Sequence, residues 1–319
     1  MREMRNYSVD CTIIGDVFCD LIIKKDFSTV SSVIGGVSYL PPIKLDFGGS
    51  GNVAVGLTRL GGNVQFIGKA GKDMLGMLYK KNLMTEGVYA QIIFDSVNPT
   101  GITLSFVDDN GERSFLVSRG ANDFLTPTEV TSHKDTIKKS KYLLISGFSL
   151  VAPPQREAIM TAIDIAKANG VTIIFDPGSY NLIKQLNPIF KRVIDNCDII
   201  TPNWKEATTI SGTENFEDVL SYFEQSFPLT ALKMGKNGCA VITAGKRFVF
   251  PTDKVFCIDT TGAGDAFLSA FIYGLIKFFS LEATAKLANL FASFSVTNLG
   301  SRSFPSSEDI TKIFETLNL

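Results

Sequence analysis

The chain has 319 residues, of which 45% are hydrophobic and 20% are charged, and this composition excludes a disordered chain. Its 31 Lys and Arg residues against 32 Asp and Glu residues give a net charge of −1, so nucleic acid is not an expected partner. The single histidine excludes metal sites that need several, and the five cysteines form no Cys-x-x-Cys pair, which is typical of a reduced, cytoplasmic protein. The longest apolar region, residues 267–279, is too short for a membrane span of ~20 residues.

Short β-type segments open the chain, and helices and strands follow in alternation. Strands are predicted over residues 9–14, 21–24, 39–47 and 64–67, and helices over residues 50–60 and 73–86. Pro41 and Pro42 lie in the third of these strands and indicate the edge of a sheet. Asn110-Gly111 stands between the β-type runs 102–107 and 114–117, and this dipeptide predicts a hairpin.

The middle of the chain alternates regularly. Strands are predicted over residues 142–145, 171–175 and 198–200, and helices over residues 154–169, 182–195 and 204–211. Further strands are predicted at 229–233, 240–243 and 247–250, before a mainly helical C-terminal part. This α/β pattern predicts a parallel-rich central sheet with helices on both faces. The segments of about 17–47 and 98–118 lack crossover helices, so we expect a small sheet inserted into a single domain of residues 1–319.

The segment Asp259-Thr260-Thr261-Gly262-Ala263-Gly264-Asp265-Ala266-Phe267 carries the strongest chemical signal. Its glycines allow a tight turn directly before a helix, so its backbone amides are expected to form an anion site at the helix N-terminus. Asp265 would face the same site, where a carboxylate suits a base that removes a proton from an acceptor hydroxyl. The alternative is a glycine-rich turn in which Asp265 only caps the helix.

A second glycine-rich segment, Gly48-Gly49-Ser50-Gly51-Asn52-Val53-Ala54, contains the loose dinucleotide-binding pattern G-x-G-x-x-A. No acidic residue ends the following strand, where Gly68-Lys69 stands instead, so dinucleotide binding is disfavoured. A glycine patch that lets a ligand approach the backbone, with Asn52 as a polar contact, fits better. Gly68-Lys69 does not complete a P-loop, because Asn63 and Ala70 occupy the positions that require Gly and Ser or Thr.

Two pairs of polar residues follow predicted strands. Asn203 and Glu206 begin a helix, where they form either a simple capping box or a site in which Glu206 holds a hydrated Mg²⁺. Asp16 and Asp20 follow the first strand and are either ligands for a polyol or solvated turn residues. The local patterns leave both choices open.

These motifs, in this order, resemble the ribokinase-like (phosphofructokinase-B type) carbohydrate kinase family over nearly the whole chain. The segments that carry the resemblance are 48–54 with Gly61-Gly62, 68–73 with Gly76, 203–206, 233–238 and 259–267. The last of these matches the family signature D-T-T-G-A-G-D-A-F in every position. The resemblance implies an α/β body with a small β-sheet lid, and transfer of the ATP γ-phosphoryl group, with Mg²⁺, to a primary hydroxyl of a small sugar.

The resemblance also implies roles for single residues. Asp265 is the base, and Gly262, Ala263 and Gly264 form the anion hole. The acceptor site includes Asp16, Gly48, Gly49 and Asn52, and the nucleotide site includes Asn203, Lys233, Gly235, Gly238 and Asn289. Glu206 acts on Mg²⁺ through water, and Asp259 and Thr261, with carbonyls near Gly300 and Ser301, belong to a site for a monovalent cation such as K⁺.

The resemblance implies a kinase of the ribokinase, fructokinase or 2-keto-3-deoxygluconate kinase type, and departures from the family pattern leave the acceptor sugar open. Ser50 stands where ribokinases carry Lys, and no Arg follows Asp176-Pro177-Gly178-Ser179 where a sugar-acid kinase needs one. Arg113 and Arg119, beside the lid hairpin, are candidates to bind an acceptor carboxylate or are solvent-facing charges; Arg119 is assigned to the acceptor site. A nucleoside kinase is the alternative within the family, and a non-catalytic sugar or nucleotide sensor is the alternative from another class. Family members often pair their lids, which predicts a homodimer.

Overall fold

The apolar runs of the sequence form the strands of two sheets. The computed structural model describes residues 8–28, 35–37, 39–108 and 113–319; the hairpin turn predicted at 109–112 and the side chain of Arg113 lie outside the described part. The strands are β1 (Val9–Ile14), β2 (Val17–Ile23), β3 (Lys44–Gly49), β4 (Val64–Gly71), β5 (Tyr89–Asp95), β6 (Gly101–Val107), β7 (Arg113–Ser118), β8 (Ser140–Ser146), β9 (Thr172–Asp176), β10 (Ile199–Ile200), β11 (Leu229–Lys233), β12 (Cys239–Thr243) and β13 (Lys246–Phe250).

Helices connect most of these strands. They are α1 (Gly51–Arg59), α2 (Met74–Thr85), α3 (Pro127–Ser132), α4 (Lys134–Lys138), α5 (Gln155–Ala168), α6 (Tyr180–Gln185), α7 (Asn187–Ile194), α8 (Trp204–Ser211), α9 (Phe216–Ser226), α10 (Ala263–Ile276), α11 (Leu281–Ser295) and α12 (Ser307–Leu317). The single helix predicted over 182–195 is wrong, because α6 ends at Gln185 and α7 begins again at Asn187. Pro188 in the first turn of α7 lacks the amide hydrogen that would continue the earlier helix. The strand predicted at 39–47 begins only at Lys44, which leaves Pro41 and Pro42 outside it.

The larger sheet runs through the described residues in the order β13-β12-β11-β10-β9-β8-β1-β4-β5. Its strands pair in parallel from β11 through to β5, and β12 and β13 add an antiparallel edge. The prediction of a parallel-rich α/β sheet is therefore confirmed. The chain order reverses where β1 lies beside β8, and ligands of such sheets bind outside the carboxyl ends of the strands at this reversal.

Two apolar cores lie on opposite faces of the larger sheet, because its parallel strands are buried on both sides. One core packs α1, α2, α10 and α11 around Phe66 and Phe271, and the other packs α5, α7 and α9 around Phe175. Helix α10 is buried along most of its length, which explains the apolar run at 267–279. Among the helices that the structure describes, none has the length and hydrophobicity needed to cross a membrane.

The small sheet that the sequence predicts as a lid is present, with the strand order β3-β2-β6-β7. β6 and β7 pair antiparallel, which confirms the hairpin, and β2 pairs with β3 antiparallel and with β6 in parallel. Asn122 attaches this sheet to the body: Val17 N donates to its Oδ1 at 2.7 Å, and its Nδ2 donates to Val17 O at 2.8 Å. We call the sheet formed by β2, β3, β6 and β7 the lid sheet.

Candidate active site

The N-terminus of α10 begins in a tight turn that only glycine fits without strain. Gly262 has a φ of +78°, and a Cβ there would stand 2.0 Å from the carbonyl oxygen of Ser301. Asp259 braces the turn, because its Oδ1 accepts from Thr261 N and its Oδ2 from Gly300 N, both at 2.8 Å. The first amides of a helix have no acceptor within the helix, so this turn presents donors suited to an anion, although the Ala263 amide also donates to Thr260 O at 3.2 Å.

Asp265 lies in the first turn of α10 beside those amides. Its Oδ2 accepts a hydrogen bond of 3.0 Å from Nδ2 of Asn52 in α1. Burial, with a contribution from the nearby carboxylate of Asp176, raises the pKa of Asp265 to about 6, although the Asn52 bond and the charges of Lys233 and Arg302 act in the opposite direction. Asp265 is therefore a stronger proton acceptor than an ordinary aspartate and remains mostly ionised at neutral pH.

A lysine ammonium lies at the same helix N-terminus. Lys233, the last residue of β11, pairs with Asp176 at the end of β9 through an Nζ–Oδ1 distance of 2.6 Å. A Cβ on Gly264 would lie 3.7 Å from this Nζ. Burial opposes the charge of Lys233, but the carboxylates of Asp176 and Glu206 outweigh it and raise its pKa. The lysine is therefore a permanent cation next to the helix amides.

Asn203 and Glu206 form the capping box that their spacing predicts at the start of α8. Glu206 Oε2 accepts from Asn203 N at 2.8 Å, and its Oε1 accepts from Asn203 Nδ2 at 2.6 Å. Glu206 is buried, and this burial raises its pKa to about 7; the Asp176 charge also raises it, whereas Lys233 lowers it. A helix cap does not require its carboxylate to be buried this deeply. The capping role of Glu206 is confirmed, and its role at Mg²⁺ stays a prediction.

Asp16 is buried at the reversal point of the sheet and belongs to an ion pair. Arg119 donates to its two oxygens at 3.1 and 3.2 Å, and Gln155 Nε2 donates to Oδ1 at 2.6 Å. The same guanidinium donates through Nε to Asp123 and through Nη2 to Gln155 Oε1 at 2.7 Å. Arg119 is therefore occupied by groups of the protein itself, and the sequence contained no signal for this pairing.

The predicted glycine patch brings the lid sheet against the body. Gly49 has a φ of +73°, and a Cβ there would stand 2.3 Å from the carbonyl oxygen of Asp16. A Cβ on Gly48 would stand 2.4 Å from a carboxylate oxygen of Asp20, so Gly48 leaves room for this acid. Burial, opposed by a hydrogen bond from Thr103, raises the pKa of Asp20 to about 6, and the charge of Asp265 contributes to the rise. Asp20 is thus near enough to the candidate base for the two charges to interact.

The remaining predicted nucleotide contacts lie around the β11–β12 connection. Gly235 is in open space, whereas a Cβ on Gly238 would stand 2.0 Å from the carbonyl oxygen of Phe250. Asn289 of α11 donates to that same oxygen at 3.0 Å. Gly238 and Asn289 therefore meet at the end of β13. The N-terminus of α10, Lys233 and Asp265 form a second group of predicted site residues, separate from Gly238 and Asn289.

A known protein family matches nearly the whole chain. The family model for pfkB family carbohydrate kinases matches residues 10–309. The chain belongs to the pfkB family. Fructokinase-1 of Oryza sativa subsp. japonica is 29% identical over 292 residues, which cover 86% of this chain and 90% of that protein.

Solved structures show the same fold. Adenosine kinase from Sinorhizobium meliloti superposes with a TM-score of 0.86 at 27% identity, covering 97% of this chain and 99% of that one. An Escherichia coli protein in complex with ATP and Mg²⁺ superposes with a TM-score of 0.84 at 23% identity, covering 97% and 99%. This pfkB chain is a sugar kinase with a ribokinase-like fold, as the motifs at 48–54 and 259–267 predict.

Proposed function

We propose that this sugar kinase transfers the γ-phosphoryl group of ATP to a hydroxyl of a small neutral sugar, with Asp265 as the base. The observation that carries the proposal is the carboxylate of Asp265 at the N-terminus of α10, hydrogen-bonded by Asn52 at 3.0 Å. Asp265 accepts the proton of the sugar hydroxyl as that oxygen attacks the γ-phosphorus; the bond between the γ-phosphorus and the β–γ bridging oxygen breaks, and ADP leaves with that oxygen. The amides of Gly262, Ala263 and Gly264, with the Lys233 ammonium, stabilise the negative charge on the transferred group.

We assign the nucleotide side to the edge formed by β10, β11 and β12. Asn203, Lys233, Gly235, Gly238 and Asn289 are the proposed contacts. The buried carboxylate of Glu206 fits a hydrated Mg²⁺, since magnesium prefers oxygen ligands and retains several waters. When bound, Mg²⁺ neutralises charge on the phosphates of ATP. The loop of Asp259 and Thr261, beside the carbonyl of Ser301, is the proposed site for a monovalent cation such as K⁺.

The charges around Asp16 favour a neutral acceptor over a sugar acid. The Arg119 guanidinium already serves the carboxylates of Asp16 and Asp123, so this cluster has a net negative charge before any substrate binds. A third carboxylate brought there would be repelled. Asp20 and Asn52 offer acceptors and donors suited to hydroxyl groups instead. The similarity to adenosine kinase supports a nucleoside as the second candidate, because a ribose hydroxyl has the same chemistry.

We further propose that the lid sheet closes over the acceptor and pairs with the lid of a second copy. Strand β7 forms an edge of the lid sheet in the described residues, and its Phe115, Leu116 and Val117 are each about half exposed. Consecutive exposed apolar residues on an edge strand are typical of a surface that another chain covers. Closure would exclude water that otherwise competes for the phosphoryl group.

The replacement Asp265→Asn tests the proposed reaction. The amide oxygen of Asn still accepts from Asn52 but cannot take up a proton, so kcat should fall by ~10²–10⁴ while the Kd values for ATP and sugar change little. Coupled measurement of ADP release, with calorimetry for binding, gives both quantities. Retention of kcat within about tenfold of the parent would exclude Asp265 as the base. The same assay across ketoses, aldoses, sugar acids and nucleosides identifies the acceptor, and a preference for sugar acids would contradict the neutral-sugar assignment.

A further inference from the structure

Arg302, in the loop between α11 and α12, is held from several directions at the candidate site. Its Nε donates to Oδ1 of Asn52 at 2.7 Å, and its Nη1 donates to Oδ1 of Asn82 in α2. The guanidinium carbon lies 5.5 Å from the ring centroids of both Phe47 and Tyr79. These contacts immobilise a long side chain that would otherwise have many rotamers.

The contact with Arg302 determines which way the amide of Asn52 faces. A carboxamide has one oxygen, which only accepts, and one NH₂ group, which only donates. Because Arg302 can only donate, it requires the oxygen of Asn52, and the NH₂ group is left to donate to Asp265 at 3.0 Å. Without Arg302, only the bond to the carboxylate holds the amide, and rotation of the Asn52 side chain can take the NH₂ group away from Asp265.

The charge of Arg302 also acts on the base. The charged groups around Asp265 are Asp176 and Lys233 at the ends of β9 and β11, Asp20 on β2, and Arg302 itself. Burial and Asp176 raise the pKa of Asp265, whereas Lys233 and Arg302 lower it. Arg302 therefore helps to keep the base ionised in a site that is otherwise unfavourable to a carboxylate.

One nitrogen of Arg302 argues against a purely structural role. Its Nη2 is buried and has no hydrogen-bond partner among the described residues. An unsatisfied buried donor lowers stability, and a charged one does so more strongly. Ser301, the preceding residue, already attaches this loop to β3 through a bond of 2.9 Å to Phe47 O. Attachment of the loop therefore does not require Arg302, whose unpaired Nη2 lowers the stability of the folded protein.

We propose that Arg302 is a positioning residue of the phosphoryl-transfer reaction, which acts by holding Asn52 in the orientation that binds Asp265. The inference rests on the proposed role of Asp265 as base. Sequence reasoning missed Arg302, because it stands 250 positions from Asn52 and belongs to no motif of the chain.

The test compares Arg302→Met, Arg302→Lys and the control Arg59→Met. Met keeps an apolar stem between the two rings but removes the charge and the fork of donors. Lys keeps the charge but cannot bond Asn52 and Asn82 with one planar group. Arg59 lies on α1, like Asn52, and forms its own paired bonds of 2.7 and 2.8 Å to Glu86. Loss of the Arg59–Glu86 pair should lower stability without changing the position or the pKa of Asp265.

For Arg302→Met we expect kcat to fall by about 10–100-fold with little change in KM for sugar or ATP, because a misplaced base weakens the reaction more than binding. The acid limb of the kcat profile should move to higher pH, since the ionised form of Asp265 loses a favourable charge. Arg302→Lys should also lower kcat, but with a smaller movement of the limb. Arg59→Met should keep both kcat and the limb of the parent.

A double-mutant cycle with Asn52→Ala separates positioning from general damage. If Arg302 acts through Asn52, Arg302→Met should lower kcat much less in the Asn52→Ala background than in the parent. Equal losses in both backgrounds would overturn the inference, and so would a pH profile of Arg302→Met identical to that of Arg59→Met. If Arg302→Met unfolds, Arg302→Lys takes its place in the cycle, and equal losses in the two backgrounds overturn the inference in the same way. An active Asp265→Asn variant would instead overturn the proposed function, so the two failures are distinguishable.

Discussion

Replacement of Asp265 by Asn should stabilise the folded protein at neutral pH while it lowers kcat by ~10²–10⁴. The fold raises the pKa of this carboxyl from 3.8 to about 6, so between these values the folded protein binds more protons at Asp265 than the unfolded chain does. The free energy of unfolding therefore falls as pH rises through this window. At 1.36 kcal/mol for each pKa unit, the ionised carboxylate lowers the stability by up to ~3 kcal/mol above pH 7. Asn has no charge and is free of this cost.

The measurement is urea denaturation of parent and Asp265→Asn across pH 4 to 8. The stability difference should be small near pH 4, grow through pH 6 and reach its plateau above pH 7. Asp73→Asn is the matched control with the opposite sign. Asp73 caps α2; it accepts from Thr100 Oγ1 at 2.7 Å and from Thr100 N and Gly76 N at 2.8 Å. Burial acts to raise its pKa, but these bonds outweigh burial and lower it. Its ionised form adds stability that is present at neutral pH and lost in acid, so Asp73→Asn should destabilise most at pH 7. A stability gain for Asp265→Asn that does not depend on pH would refute the argument.

Three further outcomes are expected. Gly262→Ala places a Cβ 2.0 Å from Ser301 O at a φ of +78°, so both kcat and stability should fall. Gly212→Ala is the control, because at its φ of +74° a Cβ meets no neighbouring atom and the variant carries only the backbone strain of ~1–2 kcal/mol. Equal losses in the two variants would show that the turn at Gly262 tolerates a side chain. Glu206→Gln keeps the cap but not the charge, so it should raise the Mg²⁺ requirement more than the sugar KM, and an unchanged Mg²⁺ titration leaves Glu206 as a cap alone. A turnover-competent sugar should slow amide exchange in β2, β3, β6 and β7 more than ATP does, and identical exchange with and without sugar at monomeric concentrations would contradict lid closure.

The features that the sequence predicted correctly depend on neighbouring residues. The capping box at Asn203 and Glu206 and the hairpin of β6 and β7 follow from spacings of a few positions. The helix that begins at Ala263 follows from the glycines before it, and the alternation of strand and helix predicted the parallel sheet. The prediction of a single helix over 182–195 was wrong because the apolar periodicity continues across Pro188, whereas the helical hydrogen bonds do not, since proline has no amide hydrogen.

The partners of the candidate base could not be predicted in the same way. Asn52 and Arg302 reach Asp265 from separate ends of the chain, and Lys233 meets Asp176 across 57 positions. The pairing of Asp16 with Arg119, which turns a predicted carboxylate-binding residue into an internal counter-ion, spans 103 positions. No local spacing encodes such contacts, because they arise only when distant strands end at the same edge of the sheet. The chain by itself thus specified the turn, the helix start and the acid at residue 265. Only the tertiary structure decided the charge, orientation and burial around that acid, since these depend on groups brought together by packing.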